Sequence, residues 1–324
     1  MTRQPAKALK EEILQGITAS FPRGSFQKHP YFPDLLRQPD LLAVPETGKL
    51  LAVFIYEMAE QISWRNALAC VEDVFEVKVS VGLFTVVIGV AANRFERSHA
   101  HDDKARLLRN TFDLFHLEDS PQTETLQESV ASVIARPSEH AGLTEFLNYE
   151  RELVHSALER FSEERYRELI VVEQGSLFKE VRSKSGVAES LSQATGLPII
   201  RDVLIRNVKG ELADLRQDYS FEFDYGIEGR PNVAIEVLSS GRYGSRDKIR
   251  YLMIKARLLR YEFSEGRLRP SHRRARLILI VDGNIAGPDH DPFRYVRSLM
   301  SVGWELVRAD RLNVVPGLLA NENV

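Results

Sequence analysis

Residues 223–252 read FDYGIEGRPNVAIEVLSSGRYGSRDKIRYL. Just before and into this stretch, Tyr219, Phe221, Phe223 and Tyr225 alternate with Asp218, Ser220, Glu222 and Asp224. A period of two marks a half-buried strand. IEGRP then supplies a turn and NVAIEVL a second strand, so 219–237 predicts a hairpin closing near 229–230. A basic helix over about 246–263 follows, and then RLILIVDG at 276–283, a buried strand ending in glycine.

The hairpin has a chemical consequence. Folding it sets Asp224 opposite the neighbourhood of Glu236, and alternation points both side chains to one face. Two carboxylates on adjacent strands repel each other unless a cation lies between them. Oxygen ligands completed by water suit Mg²⁺, which activates water and stabilises a phosphoryl transition state. Asp218 lies farther along the same strand and is a weaker candidate. The bland reading of the same spacing is an amphipathic strand with its carboxylates in solvent.

The first half of the chain repeats the order. DLLAVP at 40–45 and KLLAVFIYE at 49–57 flank the turn-forming ETG. In SWRNALACVEDVFEVKVS at 63–80, Trp64, Leu68, Val71, Phe75 and Val79 make one helical stripe. LFTVVIGVAA at 83–92 reads as a buried strand. Hairpin, helix, strand therefore occurs at 40–92 and again at 218–283. Helices are also expected at 5–20, 123–135 and 144–170, with Pro137 and Ser138 between the last two. The expected fold is α/β, with mixed central β-sheets flanked by helices, in two modules over 1–140 and 141–324.

Composition narrows the function classes. The 324 residues are 44% hydrophobic and 27% charged, an ordinary globular balance. The longest apolar runs reach about half the ~20 residues of a membrane span, and the start lacks a continuous apolar core, so a cytoplasmic protein with no membrane partner is expected. One cysteine, Cys70, rules out an intramolecular disulfide framework and reads as core. No P-loop, GxGxxG or GxSxG is present. The net charge is −3, yet 242–276 holds 12 Lys+Arg against 3 Asp+Glu. Such a cationic stretch suits a polyanion, although charge runs are also common on solvated helix faces.

The stretch 223–252 resembles the active-site hairpin of the PD-(D/E)xK nuclease superfamily, type II restriction endonucleases above all, and RLILIVDG follows in the family's order. The resemblance covers about residues 200–310 and rests on a short motif. It implies a restriction-endonuclease-like fold and a Mg²⁺-dependent endodeoxyribonuclease acting on double-stranded DNA. It also implies Asp224 and Glu236 as metal ligands, and a homodimer, because cutting both strands normally takes two sites. Arg242, Arg246, Arg250 and Lys255 are candidate phosphate contacts. The basic loop 267–276, with Arg273 and Arg274, would track the backbone or enter a groove.

One position departs from the family. Its motif lysine falls on Leu238, which can neither position nor polarise water. Lys248, near the start of the basic helix, is the expected substitute as a catalytic residue. If nothing substitutes, the alternative is a catalytically silent nuclease-fold protein that binds DNA or serves as an assembly subunit. A small-molecule-binding α/β protein is a third reading. In the first half, Asp40 and Glu57 are the matching acidic pair expected of a second, degenerate nuclease-like module, with Ala59 at the lysine position; the alternative is an unrelated α/β recognition domain. Glu180 and the run SHAHDD (His99, His101, Asp102, Asp103) are minor metal candidates.

Overall fold

The computed structural model describes residues 6–19, 21, 25–32, 35–44, 49–57, 62–82, 85–91, 103–116, 123–135, 141–170, 184–204, 222–239, 246–264, 267–270 and 275–320. The chain divides into two units, one of residues 1–151 with 263–269 and one of 152–262 with 270–324. Among the described residues, no helix is long and apolar enough to cross a membrane.

The first unit runs α1 (Ala6–Thr18), β1 (Phe26–Lys28), β2 (Leu41–Ala43), β3 (Leu51–Tyr56), α2 (Trp64–Ser80), β4 (Val86–Ala91), α3 (Asp103–Thr111), β5 (Leu114–His116) and α4 (Thr123–Ala135). Its sheet has the order β1-β2-β3-β4-β5, antiparallel across the first three strands and parallel across the last three. Helix α5 (Ala141–Arg160) crosses the division between the units.

The second unit continues with α6 (Glu163–Tyr166), α7 (Lys184–Thr195), β6 (Ile199–Leu204), β7 (Glu222–Ile227), β8 (Arg230–Ser239) and α8 (Arg246–Arg260). After the two-stranded ribbon β9 (Tyr261–Ser264) and β10 (Arg267–Pro270) come β11 (Arg276–Asp282), α9 (Arg294–Ser301), β12 (Trp304–Arg308) and α10 (Val315–Ala320). The sheet order is β6-β7-β8-β11-β12, again two antiparallel pairings followed by two parallel ones. Both units thus have the expected α/β architecture with a mixed five-stranded sheet, and the repeated hairpin–helix–strand order is one topology used twice.

Alternation along the strands sorts each sheet into two faces. In the first unit, Val53, Ile55, Ile88 and Val90 join Ile13, Leu14 and Ile17 of α1 and Leu126, Val130 and Ile134 of α4 in one core. In the second, Tyr225, Ile235, Ile278 and Ile280 pack with Val187 and Leu191 of α7 and with Val315 and Leu319 of α10. Each such fully buried aliphatic side chain stabilises by roughly 1.5–3 kcal/mol. The opposite faces carry Phe54 and Tyr56 in β3, and Glu236 and Leu238 in β8.

Two expected helices are shorter in the structure. The helix expected over 144–170 breaks after Arg160, because the Ser162 Oγ accepts the Arg165 amide at 3.4 Å and starts α6. The helix expected to reach 263 stops at Arg260, and Tyr261–Ser264 and Arg267–Pro270 pair as strands where a basic loop is expected. Tyr261 and Phe263 alternate with Glu262 and Ser264, a strand period that outweighs the helical pattern before it. Helix α2 starts as expected, with the Ser63 Oγ accepting the Asn66 amide at 3.1 Å.

Gly89 in β4 is held by a close approach. A Cβ there would lie 2.4 Å from Cδ2 of Phe115 and 2.9 Å from Cε1 of Phe112. Those two rings meet edge to face with centroids 4.9 Å apart. Gly89→Ala is expected to lower the unfolding free energy by about 1–3 kcal/mol, the usual range for overpacking, as read by urea denaturation. An unchanged midpoint would show that the ring pair repacks freely.

Candidate functional site

The second unit brings Asp224 and Glu236 together as the hairpin predicts. Pairing of Tyr225 with Ile235 and of Gly226 with Ala234 sets the register, and the next residues outward are Asp224 and Glu236. Their side chains lock the two strands to each other. The Asp224 Oδ2 accepts the Val237 amide at 2.9 Å, and the Glu236 Oε2 accepts the Asp224 amide at 3.3 Å.

A third residue completes the cluster, and it comes from helix α8. The Lys255 Nζ lies 2.7 Å from the Glu236 Oε2 and donates to the Glu222 carbonyl at 2.6 Å. The ammonium also sits 4.8 Å from the Phe223 ring centroid and 5.1 Å from that of Tyr251, within cation–π range. Only 1% of Lys255 is exposed. Its ammonium is buried and held by a carboxylate and a carbonyl, unlike the solvent-facing phosphate contact that the sequence suggests.

Lys248, the expected substitute for the motif lysine, is exposed in the first turn of α8, seven residues before Lys255. Seven residues are about two helical turns, or roughly 10 Å along the axis. The residue placed at Glu236 is thus Lys255, not Lys248. Leu238 is buried on the same strand face, where it packs as an apolar residue. The signal for Lys255 was present in the sequence. It sits three residues after Leu252 and four before Leu259, on the apolar stripe of a helix, where an unpaired lysine would be unfavourable.

Burial is the largest influence on Glu236 and pushes its carboxyl above the ordinary glutamate range; Lys255 opposes the rise and Asp224 adds to it. A carboxyl raised in this way adds stability that is present below its unfolded value. That contribution is lost as the pH rises through the folded one. A cation beside Glu236 offsets the loss, and Lys255 is the resident one.

Asp224 and Glu236 are the two residues of this site that could hold a cation. Among the described residues there is no group of three or more His, Cys, Asp or Glu side chains placed to hold a metal. A Mg²⁺ ion retains several waters and uses one or two carboxylates, so these two side chains are the ones that could serve it.

Other candidates fall differently. Arg246 is exposed at the start of α8 and Arg250 is half-buried one turn on. Asp218, Arg242, Arg273, Arg274, Glu180, Ala59 and the run His99–Asp102 lie outside the described residues. Asp103 begins α3 and pairs with Arg106. In the first unit Asp40 and Glu57 are not a pair. With Leu41 opposite Val53, Asp40 is level with Phe54, and Glu57 is three residues farther, about 10 Å along the strand. Glu57 is exposed, whereas Asp40 is buried and bound to Lys10 at 2.6 Å and to the Ile55 amide at 2.7 Å.

No family model matches the chain, and neither the curated proteins nor the solved structures contain a match.

The Lys255–Glu236 pair makes a directional prediction. Lys255→Met removes the group that lowers the Glu236 carboxyl, so its midpoint is expected to rise further, read by carboxyl-carbon NMR in the metal-free protein. A midpoint that stays or falls would show that Lys255 does not govern Glu236.

Proposed function

We propose that the protein is a Mg²⁺-dependent endodeoxyribonuclease of the restriction type, with one catalytic centre built from Asp224, Glu236 and Lys255. The observation that carries this reading is the Lys255 Nζ at 2.7 Å from Glu236. It offers a basic group from the helix at a site whose strand position for lysine is taken by Leu238. The PD-(D/E)xK resemblance of 223–252 and the hairpin–helix–strand order of the second unit support the same reading.

In this proposal Asp224 and Glu236 hold Mg²⁺, which supplies an activated water and neutralises charge on the scissile phosphate. Asp224 is fixed by the Val237 amide, so its carboxylate is set before substrate arrives. Lys255 opposes the effect of burial on the Glu236 carboxyl. In this reading its ammonium also donates toward the attacking water. Arg246 and Lys248, both exposed at the start of α8, would meet backbone phosphates in this reading and give salt-dependent affinity. Double-strand cutting then requires two chains, since each supplies one centre.

The opposing reading, a DNA-binding protein without catalysis, is favoured by one observation: the Lys255 ammonium is already held by Glu236 and by the Glu222 carbonyl. Cleavage of long mixed-sequence duplex DNA with Mg²⁺ separates the two. The parent is expected to give discrete fragments, and Glu236→Ala, Asp224→Asn and Lys255→Ala each to lose about 100-fold or more, in line with loss of a metal ligand or proton-transfer group. Salt-sensitive binding with no cutting under any divalent metal would establish the non-catalytic reading. Cutting that survives Glu236→Ala would place the chemistry elsewhere.

A further inference from the structure

The first unit repeats the second residue by residue around the place where the second holds its acidic pair. Asp40 Oδ2 accepts the Ile55 amide at 2.7 Å, and Asp224 Oδ2 accepts the Val237 amide at 2.9 Å. These contacts equate Asp40 with Asp224 and Ile55 with Val237. Phe54 then stands for Glu236, and Tyr56 for Leu238. Helix α2 begins nine residues after Ile55 and α8 nine residues after Val237, so no gap separates the two copies here. The tenth residue of each helix is Asp73 in one and Lys255 in the other, and both are buried.

The charges at these equivalent places are rearranged. In the second unit two carboxylates lie on the strands and the cation on the helix. In the first, one strand carboxylate has become Phe54, and the helix position carries the acid, Asp73, whose Oδ2 accepts the Tyr56 hydroxyl at 2.9 Å. Asp40 and Asp73 are both buried, and a cation close to both offsets the cost of that burial. That cation is Arg37. Its Nη2 lies 3.7 Å from Asp40 Oδ2 and donates to the Ile55 carbonyl at 2.7 Å, and its Nη1 lies 3.5 Å from Asp73 Oδ2. The guanidinium carbon stands 4.1 Å from the Tyr56 ring centroid. Burial disfavours the charged guanidinium, but Tyr56, Asp73, Asp40 and Cys70 together outweigh it and hold Arg37 above the ordinary arginine range. Lys10 adds a second basic contact to Asp40.

We infer that the first unit is a duplicate of the second in which the guanidinium of Arg37 has taken over the position of a divalent cation, so that the chain binds one such ion and not two. A guanidinium on the same chain is never diluted away, and its planar fork reaches two carboxylates and a carbonyl at once. Phe54, at the position of Glu236, removes one strand carboxylate, and Asp73 supplies the second carboxylate from the helix instead. The count of one rests on the proposed site at Asp224 and Glu236, whereas the role of Arg37 does not.

The test is titration of the full chain with Mn²⁺ alone, with stoichiometry read by calorimetry and melting temperature followed in parallel. The parent is expected to bind one ion. Asp224→Asn combined with Glu236→Gln is expected to bind none, and Asp40→Asn still one. Arg37→Met keeps the bulk beside Tyr56 and removes the charge. It is expected to bind two ions and to gain more in melting temperature from Mn²⁺ than the parent does, whereas Arg37→Lys stays at one. If Arg37→Met is unfolded without metal, refolding on saturating Mn²⁺ counts as the second ion and failure to refold overturns the inference. Two ions in the parent, one of them lost in Asp40→Asn, overturns it, as does a folded Arg37→Met that binds no additional ion. No ion in the parent with one gained in Arg37→Met would sink the Asp224–Glu236 metal site and leave the role of Arg37 standing.

Discussion

A carboxylate taken out of water against a packed helix needs hydrogen bonds or a cation beside it, and both units meet that need. In the second unit Glu236 points from β8 toward α8, and the Lys255 ammonium meets it at 2.7 Å. Removing either partner of a buried pair typically costs about 3–5 kcal/mol, because the other charge is left in a poorly solvated place. The pair therefore fixes which face of α8 packs on the sheet. Trp304 of β12 adds a direct tie, its indole donating to the Leu252 carbonyl of α8 at 3.0 Å. The same elements that build the core also aim the acidic hairpin.

Most of the architecture was legible in the sequence because strand alternation and helical stripes report burial directly. The aromatic–acidic alternation before Tyr225 and the apolar runs at 83–92 and 276–283 correspond to β7, β4 and β11. Asp224 and Glu236 were legible for the same reason, since two strands joined by a short turn leave little freedom of register. Lys255 was not read as their partner. Motif spacing searches along the strand, and here the basic group reaches the site from a helix some twenty residues on, through tertiary packing. A lysine on an apolar stripe was the available clue, and the strongly basic composition of 242–276 masked it.

The pairing of Asp40 with Glu57 shows the opposite failure. Counting acids along the chain picks Glu57, but register decides which residues meet, and it places Phe54 across from Asp40. The acid that Arg37 shares with Asp40 is Asp73, seventeen residues beyond Tyr56 in sequence and joined to it by a 2.9 Å hydrogen bond. In α2 the apolar stripe of Leu68, Val71 and Phe75 was visible, yet Glu72, Asp73 and Glu76 are also buried. A polar residue in an amphipathic pattern reads as solvent-facing unless a partner from another element is known. Arg37 is such a partner, and it comes from the segment before β2.

The two units answer one electrostatic problem in two ways, and the difference bears on what each can do. Lys255 is a point charge on a flexible stem that balances one carboxylate and leaves Asp224 and Glu236 adjacent to each other. Arg37 is a fork that engages two carboxylates and a carbonyl, and Phe54 has replaced the second strand acid. The first arrangement keeps a pair of hard oxygen ligands beside a raised carboxyl whose ionisation a cation would favour. The second balances its carboxylates with an internal guanidinium that also lies over the Tyr56 ring. Charge balance within each copy, set by the residues at 37, 54, 73, 236 and 255, therefore differs: two strand carboxylates face one ammonium in the second unit, and a strand and a helix carboxylate face a guanidinium in the first.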